Sequence, residues 1–215
     1  MKFFAVICIV TFCFACTNDI EPASDNTVHL AGYVGVADLD MAASYWRDGT
    51  YAGLPTNGKS SGVNSLSVDG STVLVGGWHF TPGEPTQPVY WTNGVEVPII
   101  GSWGSTTLVT SRNGNMVGVW RDLDFPGSWL IYQNGGTQPI MDTVLDIGPT
   151  GVALLGNDVY ISGSSIDTDQ NQHAQCWKNG QLTFRESEIS NAMSLFVHKN
   201  DIYLAGYLHG PEYPN

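Results

Sequence analysis

Basic residues are scarce in this chain, which carries eight Lys and Arg against 20 Asp and Glu, for a formal net charge of -12 at pH 7. A protein that binds nucleic acid needs a basic face to neutralise phosphate groups. The composition therefore argues against nucleic acid as a partner, while it leaves cationic ligands and metals open. Charged residues of both signs make up only 13% of the chain, and the 25 glycines and seven tryptophans suit many short strands joined by tight turns.

Cysteines are few beyond the N-terminus, since three of the four lie at Cys8, Cys13 and Cys16. Cys176 alone lies beyond residue 16, so we expect no intrachain disulfide in a chain processed at that point. Cys176 precedes Trp177 in an apolar stretch, and we interpret it as a buried, unreactive thiol.

Long apolar runs are also missing. The longest one, Phe3 to Ala15, has about 13 residues and is too short to span a bilayer comfortably. Because it follows the basic start Met1-Lys2, it predicts a signal peptide over residues 1–15. An ordinary secretory signal with an incidental cysteine is one interpretation of its end at Ala15-Cys16.

The end of this run also resembles the lipobox of bacterial lipoproteins, in which a small residue precedes a cysteine. The resemblance implies that Cys16 is diacylated and becomes the mature N-terminus, although Cys13 and Phe14 depart from the usual lipobox pattern. Residues 16–27 are polar and contain proline, and they predict a lipidated flexible tether. We therefore expect a bacterial cell-envelope protein, an outer-membrane lipoprotein whose lipid makes the membrane one of its partners.

Catalytic motifs are not found. The sequence contains no His-Glu-x-x-His, no Gly-x-Ser-x-Gly and no glycine loop of the kind that holds phosphate. The histidines have neither the spacing of metal ligands nor a nucleophile nearby in the sequence; they are His29, His79, His173, His198 and His209. No cofactor is expected from these residues.

A repeat organises the rest of the chain. Its mark is an aromatic strand that ends in Asn-Gly or Asp-Gly, the pair that favours a tight hairpin turn because both central residues need a positive φ. The aromatic anchors are spaced 45, 41 and 45 residues apart, and spacing of this kind indicates a repeat architecture. The four anchors are Trp46, Trp91, Tyr132 and Trp177.

Each full repeat predicts four antiparallel strands, which we name A to D. The aromatic strand is C, strand D follows its turn, and an apolar strand B precedes it. A further strand A comes before the second to fifth copies of B. The copies of B are Val28 to Tyr33, Val73 to Trp78, Met116 to Trp120, Val159 to Ser164 and Ile202 to Tyr207.

Four strands in about 43 residues without helical periodicity are typical of a β-propeller blade. The predicted fold is therefore an all-β propeller over residues 28–215, with three complete blades and a partial blade at each end. A β-sandwich of similar strands is the alternative, although it gives no reason for the equal spacing.

The repeat resembles that of uncharacterised bacterial β-propeller lipoproteins with Tyr-Trp-Lys-Asn-Gly repeats. The segments Val159 to Gly163, Trp177 to Gly180 and Ile202 to Tyr207 carry the resemblance best, and it covers Val28 to Tyr207. The third copy departs from the pattern, because Val119 replaces glycine and Tyr132 replaces tryptophan. The resemblance implies the fold and the envelope location, and it implies no activity.

Any binding site is expected on one end of the blades. The tight A–B and C–D turns lie on one side, which we call the turn face, and the longer B–C and D–A connections lie on the other, which we call the loop face. Loops on a rigid scaffold carry function more often than the scaffold itself.

Acidic pairs recur in three B–C loops, at Asp38-Leu-Asp40, Asp122-Leu-Asp124 and Asp167-Thr-Asp169. Carboxylates two residues apart can chelate Ca²⁺, and the candidate ligands are Asp167, Asp169 and Asn171. Gln172 stands where a calcium loop has its turn glycine, so we favour solvated aspartates that cap turns over a calcium site.

Aromatic residues on the loop face are the second set of candidates. Flat rings at a rim can stack on sugars or peptides, whereas the alternative is packing between blades, which we favour for the residues of strand B. The candidates are Tyr33, Trp78, Trp120 and Tyr207 at the ends of strand B, and Trp103 in a D–A loop.

Two functions are compatible with these observations. We favour a non-catalytic, envelope-anchored binding or scaffolding protein that takes a glycan, a peptide or a protein partner on its loop face. The alternative is a polysaccharide hydrolase or lyase on the same face, which would need two carboxylates about 5–10 Å apart.

The order of the strands also bears on closure of the propeller. Strand B occurs at both ends of the repeat region, at Val28 to Tyr33 and again at Ile202 to Tyr207. One copy of B would have no place in a ring closed by the two ends, and it would leave an unpaired edge. We therefore expect an arc of a larger propeller, from a truncated chain or one that closes by self-association. A closed propeller of four or five blades with a spare strand is the alternative.

Overall fold

The computed structural model describes residues 27–36, 41–99, 104, 107–122, 128–133, 136–140 and 146–209. The predicted signal peptide and Cys16 lie outside the described residues, as do nearly all of the tether and Trp103. No helix that could cross a membrane is found in the described part of the chain.

The described residues form 17 strands in five antiparallel sheets, which confirms the all-β class. Sheet 1 contains β1 (His29–Val34), β2 (Ala42–Arg47) and β3 (Thr50–Gly53). Sheet 2 contains β4 (Ser60–Asp69), β5 (Thr72–Phe80), β6 (Gln87–Thr92) and β7 (Val95–Pro98). Sheet 3 contains β8 (Thr107–Arg112), β9 (Asn115–Asp122), β10 (Ser128–Gln133) and β11 (Gly136–Pro139). Sheet 4 contains β12 (Asp146–Leu155), β13 (Asp158–Ile166), β14 (Gln172–Lys178) and β15 (Gln181–Arg185). Sheet 5 contains β16 (Ser190–His198) and β17 (Asp201–Leu208).

Strands that follow each other in the chain pair side by side in every sheet, in the predicted order A to D. Sheet 1 has strands B, C and D, sheets 2 to 4 have all four, and sheet 5 has A and B. The extensive contacts between sheets in the described residues join neighbours in chain order, chiefly through the A strands β4, β8, β12 and β16.

Two apolar cores lie between neighbouring sheets. Trp91 is fully buried between sheets 1 and 2, where it belongs to a cluster with Ala43 and Leu54. Trp177 is fully buried between sheets 3 and 4, in a cluster with Ile131. Trp91 and Trp177 are therefore the largest completely buried side chains among the described residues.

The turn motif has a second structural role besides reversing the chain. Asn179 has a φ of 49°, and its side-chain Oδ1 accepts a hydrogen bond of 2.8 Å from the backbone N–H of Val159 at the start of strand B. Asn93 and Val73 repeat this contact at 2.8 Å. An Asn or Asp at this position thus tolerates the left-handed backbone conformation. Its side-chain oxygen also accepts a hydrogen bond from the backbone N–H at the start of strand B, beyond the regular pairing of strands B and C.

A glycine in strand B marks a bulge in strand A. Asn64 is the extra residue between Val63 and Ser65 in β4, and the bulge brings the carbonyl oxygen of Gly62 close to Gly77. A Cβ atom at Gly77 would lie 2.0 Å from that oxygen, so no other residue fits without a shift. Sheets 4 and 5 repeat the arrangement at Gly163 and Gly206.

Sheet 3 lacks this bulge, and it also lacks the glycine. Trp120 pairs with Leu130, and Leu130 lies two residues before the strand-C anchor Tyr132. In the same way, Gly77 pairs with Val89, which lies two residues before the anchor Trp91. Trp120 therefore occupies the register of the glycine and not that of Trp78, and its side chain points to the opposite face from the one the sequence alignment predicted. β8 pairs with β9 without a register shift from the Thr107–Trp120 pair onward, so no bulge accompanies this side chain in the described strand.

Candidate functional site

The loop face of sheet 4 carries a polar group that we call the His173 cluster, made of Ser165, Asp167, His173, Gln175 and Arg185. β13 ends just before Asp167, β14 contains His173 and Gln175, and β15 ends at Arg185. Because antiparallel neighbours place these positions at one end of the sheet, residues up to 20 positions apart in sequence come together.

Asp167 organises the B–C turn. One carboxylate oxygen, Oδ1, accepts backbone N–H hydrogen bonds of 2.9 Å from both Asp169 and Asn171. These contacts, the one from Asn171 foremost, lower the pKa of Asp167 below its ordinary value because they stabilise the charged form. Its other oxygen, Oδ2, lies 3.0 Å from His173 Nε2 and 3.9 Å from an Arg185 guanidinium nitrogen.

His173 is nearly buried and is surrounded by hydrogen-bond acceptors. Its Nδ1 lies 3.0 Å from the carbonyl oxygen of Glu186 and 3.2 Å from that of Glu188, while Nε2 faces the Asp167 carboxylate. These contacts hold the ring in one orientation.

The innermost part of the cluster presents polar atoms without partners among the described residues. Gln175 is fully buried, yet neither its amide oxygen nor its amide nitrogen has a hydrogen-bond partner there. The hydroxyl of Ser165, also fully buried, is in the same situation. Buried amides and hydroxyls are costly when unpaired, so these atoms hold hydrogen-bonding capacity that the described residues do not use, at a place that solvent does not reach.

Sheet 2 carries a second group at its loop end, which we call the His79 cluster: His79, Glu96, Asn57, Lys59 and Gln87. His79 is 3% exposed, and its Nε2 lies 3.3 Å from Glu96 Oε1. The other oxygen of Glu96 accepts a hydrogen bond of 2.8 Å from the amide of Asn57. Burial lowers the pKa of His79, although Glu96 opposes the shift, whereas Lys59 reinforces it.

The three candidate calcium ligands lie in the turn that Asp167 organises. Both oxygens of Asp167 already face donors, namely the turn N–H groups on one side and His173 on the other. Among the described residues, no three or more His, Cys, Asp or Glu side chains come together as a metal site. Asp38, Asp40 and Asp124 lie outside the described residues, and calcium binding stays a prediction.

The candidate aromatic residues differ in exposure. Tyr33 and Tyr207 are 59% and 48% exposed, whereas Trp120 is only 4% exposed and contacts Tyr132 with 5.7 Å between ring centroids. Trp78 is partly buried, and its ring lies over Gly62, where a Cβ atom would be 2.6 Å away. The positions favour packing for the two tryptophans and leave the two tyrosines open for contacts.

Sequence reasoning missed His173, Gln175 and Arg185, because nothing in their spacing marks them. It also missed a serine that links neighbouring sheets. Ser61 Oγ accepts a 2.9 Å hydrogen bond from the N–H of Ala43, and Ser190 Oγ accepts the same contact at 2.9 Å from Ala174. Ser61 and Ser190 lie three repeat lengths apart in the sequence, and this spacing could have identified them as equivalent positions.

Comparison of the chain with models of known protein families finds no match, and comparison with curated proteins finds none either.

Proposed function

We propose that this chain is an envelope-anchored lipoprotein that acts as a non-catalytic binding or scaffolding β-propeller. Its ligand would be a glycan, a peptide or a partner protein on the loop face. The observation that carries this proposal is the His173 cluster, a rigidly held polar site that ends in buried, unpaired hydrogen-bonding atoms.

The arrangement of the sheets supports the propeller part of the proposal. Five sheets follow one another in chain order, and contacts between them run mainly through strand A, the innermost strand of a propeller blade. The contact pattern is that of an arc, since the extensive contacts in the described residues join neighbouring sheets in the chain.

The chemistry of the cluster supports a neutral, hydroxyl- or amide-rich ligand. Gln175 can donate and accept hydrogen bonds, and Ser165 can do the same, as sugar hydroxyls and peptide groups require. Tyr33 and Tyr207 offer exposed rings at the ends of strands β1 and β17. Tyr207 lines a groove with Glu186, whose carbonyl oxygen lies 3.0 Å from His173 Nδ1, and a ring beside hydrogen-bonding groups is a common composition for ligand sites. Tyr33 lies on sheet 1, away from this cluster.

A glycan and peptide array probed with the purified protein tests this proposal. We expect retained binding that weakens in Gln175→Leu, which removes the amide at similar volume, and in Tyr207→Ala. Tyr51→Ala is the matched control, because Tyr51 is 53% exposed on β3, outside both clusters. Binding that all three variants keep unchanged would contradict a site on the loop face.

One observation favours the alternative enzyme. The Asp167 carboxylate and His173 form a 3.0 Å pair, the arrangement in which a carboxylate orients a histidine for proton transfer. Turnover of chromogenic glycosides or polysaccharide that is lost in His173→Gln would support a hydrolase or lyase. Binding without turnover would leave the non-catalytic function in place.

A further inference from the structure

A cavity lies on the turn face between sheets 1 and 2. Its volume is about 570 Å³, which is within the range of small-molecule sites. Arg47 and His29 line it from sheet 1, and Ser71 lines it from the A–B turn of sheet 2. Val68 and Val73 add apolar surface beside these polar groups. The cavity therefore combines a basic side, a hydroxyl and an apolar side.

The corresponding gaps between later sheets are bridged by hydrogen bonds at the turn face. Asp69 Oδ2 of sheet 2 accepts a 2.9 Å hydrogen bond from the N–H of Gly114 in sheet 3. The Arg112 side chain of sheet 3 donates a 3.1 Å hydrogen bond to the carbonyl oxygen of Leu154 in sheet 4. Arg47 forms no hydrogen bond or ion pair with a described residue of sheet 2, so it does not bridge its gap in this way.

Arg47 also lacks a counter-ion that the repeat provides elsewhere. It occupies in sheet 1 the register of Lys178 in sheet 4, one residue after the strand-C tryptophan. In sheet 4, Asp158 binds the Lys178 ammonium at 2.8 Å, and it lies two residues before the strand-B residue that pairs with the lysine. Thr27 stands at that place in sheet 1. The positive charge that sheet 4 compensates internally is therefore without this carboxylate in sheet 1.

The acidic groups near the cavity leave Arg47 largely available. Asp48 Oδ2 lies 4.0 Å from Arg47 Nε, and the two side chains are 53% and 61% exposed, so solvent weakens this pair. The other oxygen of Asp48 accepts a 2.8 Å hydrogen bond from the N–H of Val28. Asp69 is engaged with Gly114 of sheet 3. The guanidinium therefore retains N–H donors for a ligand.

The lining groups match the chemistry of a phosphate. A guanidinium presents paired N–H donors that fit two oxygens of one phosphate group. The His29 ring contacts the Tyr45 hydroxyl through Nδ1, and its Nε2 has no hydrogen-bond partner among the described residues. Nε2 can donate when it carries the proton, and the Ser71 hydroxyl can donate as well. The apolar side of the cavity then leaves room for an organic group attached to the phosphate.

We propose that this cavity binds an organic phosphate, supplied either by a soluble phosphate ester or by the headgroup of a phospholipid. Arg47 holds two phosphate oxygens through its guanidinium, His29 and Ser71 donate to the phosphate, and Val68 and Val73 contact the organic part. The site lies on the turn face and does not rest on the function proposed for the loop face.

Calorimetric titration of the full chain with glycerol phosphate, at constant pH and ionic strength, tests this proposal. We expect saturable binding of glycerol phosphate and none of glycerol. Arg47→Gln should bind about tenfold more weakly or worse, because it removes the charged fork. Arg47→Lys should recover only part of the affinity, since an ammonium lacks the fork. Lys178→Gln is the matched control: it removes a positive charge at the same register, and Asp158 already binds that ammonium, so its affinity should equal that of wild type.

The variant Thr27→Asp gives a second test that keeps Arg47 in place. It supplies the carboxylate that sheet 4 has at this register, and it should abolish binding because the new charge competes with the phosphate for Arg47. The melting temperatures of Thr27→Asp and Arg47→Gln should stay within error of wild type, which separates loss of the site from loss of the fold. Binding by Thr27→Asp as tight as by wild type would overturn the proposal.

Sedimentation with phosphatidylglycerol vesicles distinguishes the two sources of phosphate. Cosedimentation that Arg47→Gln abolishes and Lys178→Gln keeps would identify a lipid headgroup, whereas binding of glycerol phosphate alone would identify a soluble ester, and either result supports a phosphate site. Binding that Arg47→Gln retains, an equal loss in Lys178→Gln, or no binding of either probe would overturn it.

Discussion

At the scale of single residues, the repeat is built from a few side chains whose surroundings differ from copy to copy. Trp91 is completely buried, and its indole N–H donates a 2.9 Å hydrogen bond to the carbonyl oxygen of Pro55. Trp46 has the same place in sheet 1 but is only partly buried, because no described sheet precedes it. The same residue in the same motif therefore contributes unequally to stability.

Trp91→Ala should lower the free energy of unfolding by about 3–5 kcal/mol, because it leaves a large cavity between sheets 1 and 2. Trp46→Ala should cost clearly less, since solvent already reaches that side chain. Urea denaturation of both variants measures the difference. Equal losses would show that Trp46 is as well packed as Trp91.

Glycine in strand B offers a second comparison of residues. Gly77→Ala should destabilise the chain by about 1–3 kcal/mol or more, since the new Cβ atom would meet the carbonyl of Gly62 at 2.0 Å. Gly32 is the matched control, because no strand A of its sheet lies among the described residues and the nearest atom to an added Cβ is a carbon of Trp46 at 3.6 Å. Gly32→Ala should be neutral or slightly stabilising in the same denaturation experiment, through the smaller entropy of its unfolded chain. A loss at Gly32 as large as at Gly77 would contradict the role assigned to the bulge.

At the scale of elements, the loop face is formed by the strand ends that lead into the B–C and D–A connections. The sequence predicted that candidate sites lie at this end, and Asp167 was among the residues named for it. The contacts of His79 and His173 and the burial of Gln175 were not predictable, because each depends on residues from another strand or an adjoining loop. The two clusters nevertheless occupy corresponding ends of sheets 2 and 4, which shows that the repeat positions them.

Burial of His79 should make folding sensitive to acid. Its pKa in the folded chain is lowered from 6.5, so the unfolded chain takes up the proton at a higher pH than the folded chain. The free energy of unfolding should therefore be highest above pH 6.5 and fall as the pH drops from 6.5 to the folded pKa, after which this contribution levels off. Glu96 and Lys59, the charged groups beside the ring, modulate this window in opposite directions.

Urea denaturation of wild type and His79→Gln between about pH 5 and pH 8 checks this prediction. The variant should lose part of the pH dependence, since glutamine does not titrate. His198→Gln is the control, because His198 is exposed on β16. A variant at His79 with the full wild-type slope would show that this histidine does not couple folding to protons.

At the scale of the whole molecule, the described sheets follow one another without returning to the first. Sheet 1 lacks a strand A, and sheet 5 lacks strands C and D among the described residues. Exposed apolar side chains lie at both ends, Leu30 being 59% exposed in β1 and Phe196 63% exposed in β16. The choice between an arc and a closed ring therefore stays a prediction to be tested in solution.

Small-angle scattering and light scattering of residues 17–215 should therefore show an elongated particle or a concentration-dependent assembly through the open edges. A compact, monodisperse monomer with one cooperative melting transition would instead favour a closed propeller with a spare strand. A urea concentration below the measured unfolding transition is a useful control, because urea weakens apolar association before it unfolds the chain.

Anchoring to the membrane is the second prediction for the whole molecule. Cys16 should be acylated in bacteria, so metabolic labelling with a fatty-acid probe should mark the wild-type chain and not Cys16→Ala. Cys13→Ala is the control, since this residue would be removed with the signal peptide. Equal labelling of wild type and Cys16→Ala would contradict lipidation at this residue.

The sequence by itself determined the number and order of the strands, because period-two apolar runs and Asn-Gly turns act between residues that are close in the chain. The tertiary structure decided which copies tolerate which side chains. Trp120 illustrates this difference: the sequence aligned it with Trp78, whereas its pairing with Leu130 of strand C places it in the register of Gly77, where β8 has no bulge. The pairing of two strands decides which face each side chain occupies, and this pairing depends on the neighbouring strand, which no local pattern encodes.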